Sequence, residues 1–269
     1  MKRSVYLLPN LLTTFSLFLG FFSIVQALHH EFTTAGWAII VASIFDSLDG
    51  RVARLTGSDS SFGVQYDSLS DLVSFGLAPA VLIYSWSLAS FPRLGWVVCF
   101  LYLACGCLRL ARYNVQAHTI ERKYFQGLPI PMAAGAVVCT ILFYQATYGL
   151  GFPLRDWWLA SLMVMLAVLM VSTVRYRSFK QLRLSARGSF IALVGIIGFL
   201  TLIALEPERV LFTAVMTYLV SGPIEAVILY VWRTSSRDRR ARRRAERVAH
   251  DVLREKIRIL PNHVVGDEQ

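Results

Sequence analysis

Windows of about twenty predominantly apolar residues recur along the whole chain, and no other feature restricts its fold as tightly. Eight such windows are expected as helices, at 8–28, 34–55, 68–90, 94–114, 130–149, 156–174, 189–205 and 209–232. Short loops join them and leave little room for a soluble domain. In lipid, backbone N–H and C=O groups must be satisfied within each segment, so helices are the economical solution. The chain is 55% hydrophobic with a mean hydropathy of +0.53, a balance foreign to soluble enzymes. The expectation is an all-α polytopic membrane protein, with a transmembrane domain over 1–232 and a basic tail over 233–269. The first apolar stretch reads as a span and not as a cleaved leader. It is too long for a leader's apolar region, and no small-x-small site follows before the next span.

Charge placement orients these spans. With both termini in the cytoplasm, the inside segments hold 24 of the 27 Lys and Arg, leaving only Arg93, Arg155 and Arg209 outside. That asymmetry follows the positive-inside rule and supports an even number of spans. The net charge is +10, and much of it lies in the tail "RTSSRDRRARRRAERVAHDVLREKIRIL". Nucleic acid is rejected as its partner, because the tail directly follows a span and no aromatic residues interleave it. Anionic lipid head groups at the cytoplasmic face are the expected contact, with a surface helix followed by a disordered end over 261–269.

Cys99, Cys105, Cys107 and Cys139 all lie in apolar spans and read as buried, inert thiols, since Cys105-Gly-Cys107 has the wrong spacing for a zinc knuckle. His29 and His30 read as an outer loop. The chain is left with one anomaly. "IFDSLDGRVARLTGSDSSFGVQYDSLSDLVSFG" places Asp46, Asp49, Asp67 and Asp71 within or at the edge of two spans. Carboxylates at membrane depth are costly and mark function by default.

Asp46 and Asp49 are spaced i,i+3, and Asp67 and Asp71 i,i+4, so each pair shares one helix face. A turn through "TGSDSSFG", eased by Gly57 and Gly63, lets the two helices run antiparallel and aim both pairs at one space. All-oxygen ligation suits a hard divalent cation such as Mg²⁺, Mn²⁺ or Ca²⁺, and four negative charges match two such ions. Gly50 and Ala53 leave room on the Asp49 side, and Arg54 stands ready for a phosphate. Metals beside an Arg are the usual apparatus for displacement at phosphorus. The competing readings are a set of helix caps, which suits Asp59 alone, and an ion pathway such as a divalent-metal transporter. Neither explains the Gly, Ala and Arg at fixed positions.

The run Asp46-x2-Asp49-Gly50-x2-Ala53-Arg54-x8-Gly63-x3-Asp67-x3-Asp71 resembles, at every position, the signature of the CDP-alcohol phosphotransferase family. The resemblance implies a membrane enzyme with a six-helix catalytic core, usually a homodimer, that uses a CDP-linked substrate, releases CMP and needs Mg²⁺ or Mn²⁺. It implies that Asp46, Asp49 and Asp67 hold one metal, and that Asp46, Asp67 and Asp71 hold a second. Asp71 is also implied as general base. Gly50, Ala53 and Arg54 would line the CDP site, joined by Ser60, six residues past the Arg, and by Asn10 and Thr13 of "PNLLTTF".

Three further stretches, "RLARYNVQ", "FQGLPIPMAAG" and "MVSTVRYRSFK", together with eight spans, resemble the serine-accepting branch of that family. The implied reaction moves the phosphatidyl group of CDP-diacylglycerol to L-serine, in the inner membrane of a bacterium with the site facing the cytoplasm. Arg109, Arg112, Asn114, Arg175 and Arg177 lie at cytoplasmic span ends, placed to meet anionic groups of the substrates. For each Arg alone, positive-inside topology and snorkelling explain the position equally well. Gly127, Pro129 and Pro131 also read as a helix entry. Other acceptors, glycerol 3-phosphate or inositol phosphate, remain open, as does a non-catalytic scaffold recruited through the tail. Glu225 has no assigned role.

Overall fold

A computed structural model describes residues 7–57, 60–117, 125–149, 157–176, 195, 197–198 and 201–225. These are helical apart from short connections and one pair of two-residue strands. In chain order they form α1 (Leu7–Leu28), α2 (Phe32–Thr56), α3 (Ser61–Asp71), a π-helical stretch (Leu72–Leu77) and α4 (Ala78–Trp86). After a 3₁₀ turn at Leu88–Ser90 come α5 (Leu94–Ala117), β1 (Phe125–Gln126), α6 (Ile130–Tyr148), α7 (Trp157–Val171) and β2 (Arg175–Tyr176). Residues 201–205 and 207–225 are also helical. Met1–Gly222 forms one compact unit; the second, Pro223–Gln269, is described only at 223–225. Asp59, Arg177 and the tail lie outside the described residues, as does most of the expected span at 189–205.

Among the described residues, four helices are long and apolar enough to cross a bilayer: Leu8–Leu28, Ser61–Trp86, Leu94–Val115 and Ile130–Tyr148. Their outward faces carry Phe15, Phe18, Phe21, Phe100 and Leu108, all exposed. Helices that are apolar all round belong in lipid. The 25-residue α2 matches them in length, but Asp46, Asp49, Arg51 and Arg54 load its second half with charge.

The core gathers Phe75, Leu82, Ile83 and Trp86 from the continuous helical rod Ser61–Trp86, Ile130, Ile141 and Leu142 from α6, and Met163, Leu166 and Met170 from α7. Helix α1 lies close against that rod. A Cβ on Gly20 would stand 2.6 Å from the Ser74 Cα, so only glycine permits this approach. The Ser70 and Ser74 hydroxyls donate to the Thr13 and Ser16 carbonyls at 3.1 and 2.9 Å, clamping the two elements. In the π-helical stretch the Tyr102 phenol donates to the Phe75 carbonyl at 3.0 Å.

Three sequence expectations shift. The third span begins at Ser61, not 68, because the Ser60 side chain accepts the Gly63 N–H at 3.0 Å and caps the helix early. A small ladder interrupts the all-α picture, with Phe125 opposite Tyr176 and Gln126 opposite Arg175. It is pinned by Gly127, whose φ of 79° and close approach to the Met170 carbonyl exclude a side chain. Cys107 is exposed and Cys105 half-buried, against the expectation, while Cys99 and Cys139 are buried; all four thiols are free.

Candidate functional site

The acidic cluster forms where α1, α2 and α3 meet. Helix α2 ends at Gly57, a C-cap in the left-handed region at φ 58° that Cβ-bearing residues avoid. The chain re-enters a helix at Ser61, so both pairs of aspartates stand on facing helices a short turn apart. Asp46, Asp49 and Asp67 each present an oxygen within 4.8 Å of the others. Asp71 completes the group, its carboxyl within hydrogen-bonding reach of Asp46.

Helix α1 holds this arrangement from the side. The Thr13 hydroxyl donates to Asp49 Oδ2 at 2.7 Å and sits 3.1 Å from its own helix's Pro9 carbonyl. Asp49 is only 5% exposed. Asp67 Oδ1 is buried and has no hydrogen-bond partner. Carboxylates at such separations repel by about 3–4 kcal/mol per pair at an effective dielectric near 20, and an orphaned carboxylate oxygen adds a desolvation cost. A divalent cation is the group that relieves both, and an all-carboxylate donor set suits Mg²⁺ or Mn²⁺. The residues present therefore fit a metal.

Beside the cluster lies a cavity of about 220 Å³ whose walls include Asn10, Thr13, Gly50, Ala53, Arg54 and Ser60. All six residues expected at the CDP site thus line one space, together with Asp49 and Asp67. A Cβ on Gly50 would meet nothing nearer than Arg54 Nη1 at 3.9 Å, so this stretch of α2 is open to a flat approach. Ser60 serves two places at once, helix cap and cavity wall.

The stretches expected near the acceptor also meet, though they are far apart in sequence. Arg112 Nη1 donates to the Val171 carbonyl at 2.9 Å, tying α5 to the end of α7. The Gly127 N–H donates to the Val174 carbonyl at 2.8 Å, and Arg175 lies in β2 with its backbone paired to Gln126. Arg112 is thus engaged with a helix end, where a cation is favoured. Asn114 Nδ2 donates to Ser68 Oγ at 2.9 Å, bracing α5 against α3 beside Asp67, while its Oδ1 is buried without a partner. Arg109 lies within electrostatic reach of Asp71, with a buried Nε that no acceptor meets.

Sequence reasoning passed over Tyr113, a wall of the cavity, and Ser68, the partner of Asn114. Tyr113 stands inside "RLARYN", but charge drew attention to its neighbours.

The family model for CDP-alcohol phosphatidyltransferase matches residues 6–174. A CDP-diacylglycerol–serine O-phosphatidyltransferase of Helicobacter pylori is 38% identical over 227 residues, covering 84% of this chain and 94% of its own. One of the same name from Mycobacterium tuberculosis is 31% identical over 260 residues, covering 92% of this chain and 90% of its own. An archaetidylserine synthase of Methanothermobacter thermautotrophicus is 39% identical over 173 residues, covering 63% of this chain and 69% of its own. With the full signature gathered at one site and the family match spanning most of the chain, this protein belongs to the CDP-alcohol phosphotransferase family.

Proposed function

We propose that the protein is a CDP-diacylglycerol–serine O-phosphatidyltransferase, making phosphatidylserine and CMP from CDP-diacylglycerol and L-serine. The observation that carries the reading is three carboxylates within 4.8 Å, one with an orphaned buried oxygen, bordering a cavity lined by the CDP-site residues. The names of the relatives supply the acceptor.

Asp46, Asp49, Asp67 and Asp71 would hold two divalent ions, which when bound supply charge neutralisation of the diphosphate and of the departing phosphate. Asn10, Thr13, Gly50, Ala53, Arg54 and Ser60 receive the cytidine diphosphate, with Arg54 pairing a phosphate oxygen. The diacylglycerol tails stay in the lipid beside the apolar outer faces. The serine hydroxyl attacks the phosphorus that bears diacylglycerol. A bond forms from the serine oxygen to that phosphorus, the bond to the bridging oxygen breaks, and CMP leaves. Asp71 takes the hydroxyl proton. Arg109, half-buried and within electrostatic reach of Asp71, receives the serine carboxylate. Arg112 acts through the α5–α7 contact, and Asn114 through α3. Arg175 and Arg177 add positive charge at the same membrane face.

In this reading eight spans put both termini and the site in the cytoplasm of a bacterium, with the protein a homodimer in the inner membrane. The test is an acceptor panel. Purified protein with CDP-diacylglycerol and Mn²⁺ is given labelled L-serine, glycerol 3-phosphate or inositol phosphate, and the lipid product is identified. Labelled phosphatidylserine supports the reading. A lipid product from another acceptor alone retains the chemistry and overturns the substrate.

A further inference from the structure

Among the described residues, two chains of buried hydroxyls run from the rod at 61–86 through α1 to α2, and both follow one pattern. In the first, the Ser74 hydroxyl donates to the Ser16 carbonyl at 2.9 Å, and the Ser16 hydroxyl donates to the Ala42 carbonyl at 3.2 Å. In the second, the Ser70 hydroxyl donates to the Thr13 carbonyl at 3.1 Å, and the Thr13 hydroxyl donates to Asp49 Oδ2 at 2.7 Å. Each time a serine of the rod holds the main chain of an α1 residue, and that residue's own hydroxyl reaches α2. The spacings keep one face on every element: Ser70 and Ser74 are four apart, Thr13 and Ser16 three, Ala42 and Asp49 seven. None of the six residues is more than 5% exposed.

The two chains differ at their ends. The first stops on a backbone carbonyl and can only fasten helices together. The second stops on a carboxylate of the acidic cluster, where it occupies Oδ2 and leaves Oδ1 for a cation. The Thr13 hydroxyl has a second acceptor, the Pro9 carbonyl of its own helix at 3.1 Å. It has one proton to give, and the carboxylate is the nearer taker. A small displacement of α1 would return that proton to Pro9, the usual partner one turn back. Ser70 opposes the displacement. A helical serine ordinarily donates to a carbonyl of its own helix, as Ser68 does to Val64 at 2.9 Å. Ser70 instead holds the neighbouring helix at the residue that carries the bond to Asp49.

We propose that Ser70 is a positioning residue for the metal site. By holding the Thr13 carbonyl it sets the Thr13–Asp49 bond, and through that bond the orientation of one metal ligand. Ser74, at the equivalent place in the other chain, fastens helices without this effect. The inference rests on the reading of the four aspartates as a divalent-metal centre.

The test measures binding of Mn²⁺ alone to metal-stripped, full-length protein in detergent, from the paramagnetic resonance signal of the free ion, with the melting temperature taken alongside. Ser70→Ala is expected to weaken Mn²⁺ binding about tenfold, as for loss of a group that orients a metal ligand. Ser74→Ala removes the equivalent bond and is expected to lower the melting temperature while leaving the Mn²⁺ affinity in place. Thr13→Val with and without Ser70→Ala should bind Mn²⁺ equally, because Ser70 acts through Thr13. Ser70→Cys, close in size but a weak donor, is expected to weaken binding in the same direction. It carries the test if the Ala variant does not yield monodisperse protein. Wild type that binds no Mn²⁺ would overturn the metal-centre reading itself. With wild type binding, three results would each overturn this inference alone: an unmoved affinity in the Ser70 variant, equal weakening in Ser74→Ala, or a double variant weaker than Thr13→Val.

Discussion

At the scale of single residues, the site depends on groups that hold the aspartates as much as on the aspartates. Thr13 donates to Asp49 from a different helix and fixes one carboxylate oxygen. Thr13→Val keeps the shape and removes the donor. It is expected to raise the Mn²⁺ concentration for half-maximal activity about tenfold, as for loss of a group that orients a metal ligand. A Mn²⁺ titration of turnover checks this. Gly50 opens the cavity wall, so Gly50→Val is expected to raise the KM for CDP-diacylglycerol and leave the KM for serine in place. Steady-state assays with each substrate varied would show it. The aspartates were legible in the sequence because i,i+3 and i,i+4 spacings fix a shared face and because acids in apolar spans stand out. The Thr13–Asp49 bond was not legible from spacing, since it depends on how two helices cross.

Among the elements, hydropathy found the rods and misplaced their ends. Helix α3 starts seven residues before the apolar window, because a serine cap outweighs the polar character of "SSFGVQYD". The π-helical stretch, and the β1–β2 pairing between segments about fifty residues apart, leave no periodic trace in the sequence. Gly127 showed only as a helix entry before Pro129. Its role emerges from a positive φ and from contact with the end of α7. Gly127→Val is therefore expected to destabilise the fold by about 2–4 kcal/mol, through left-handed strain and a clash with the Met170 carbonyl. A lowered melting temperature in detergent, with metal binding retained below it, is the predicted result.

At the scale of the whole molecule, a membrane bundle brings distant, short polar stretches to one end, where acids, an arginine and a cavity meet. The tail at 233–269 follows the last expected span and contributes none of the proposed site residues. Truncation after 232 is expected to keep serine-dependent turnover in detergent while weakening association with anionic vesicles. Loss of turnover in a folded truncation would contradict this expectation. The central claim is that the four aspartates perform serine-dependent displacement at phosphorus. The most direct measurement is CMP release by purified protein with CDP-diacylglycerol, Mn²⁺ and L-serine, run beside Asp71→Asn. Release should require serine and fall by about a hundredfold to ten-thousandfold in the variant, as for loss of a general base. CMP release independent of serine, or undiminished in Asp71→Asn, would contradict the account.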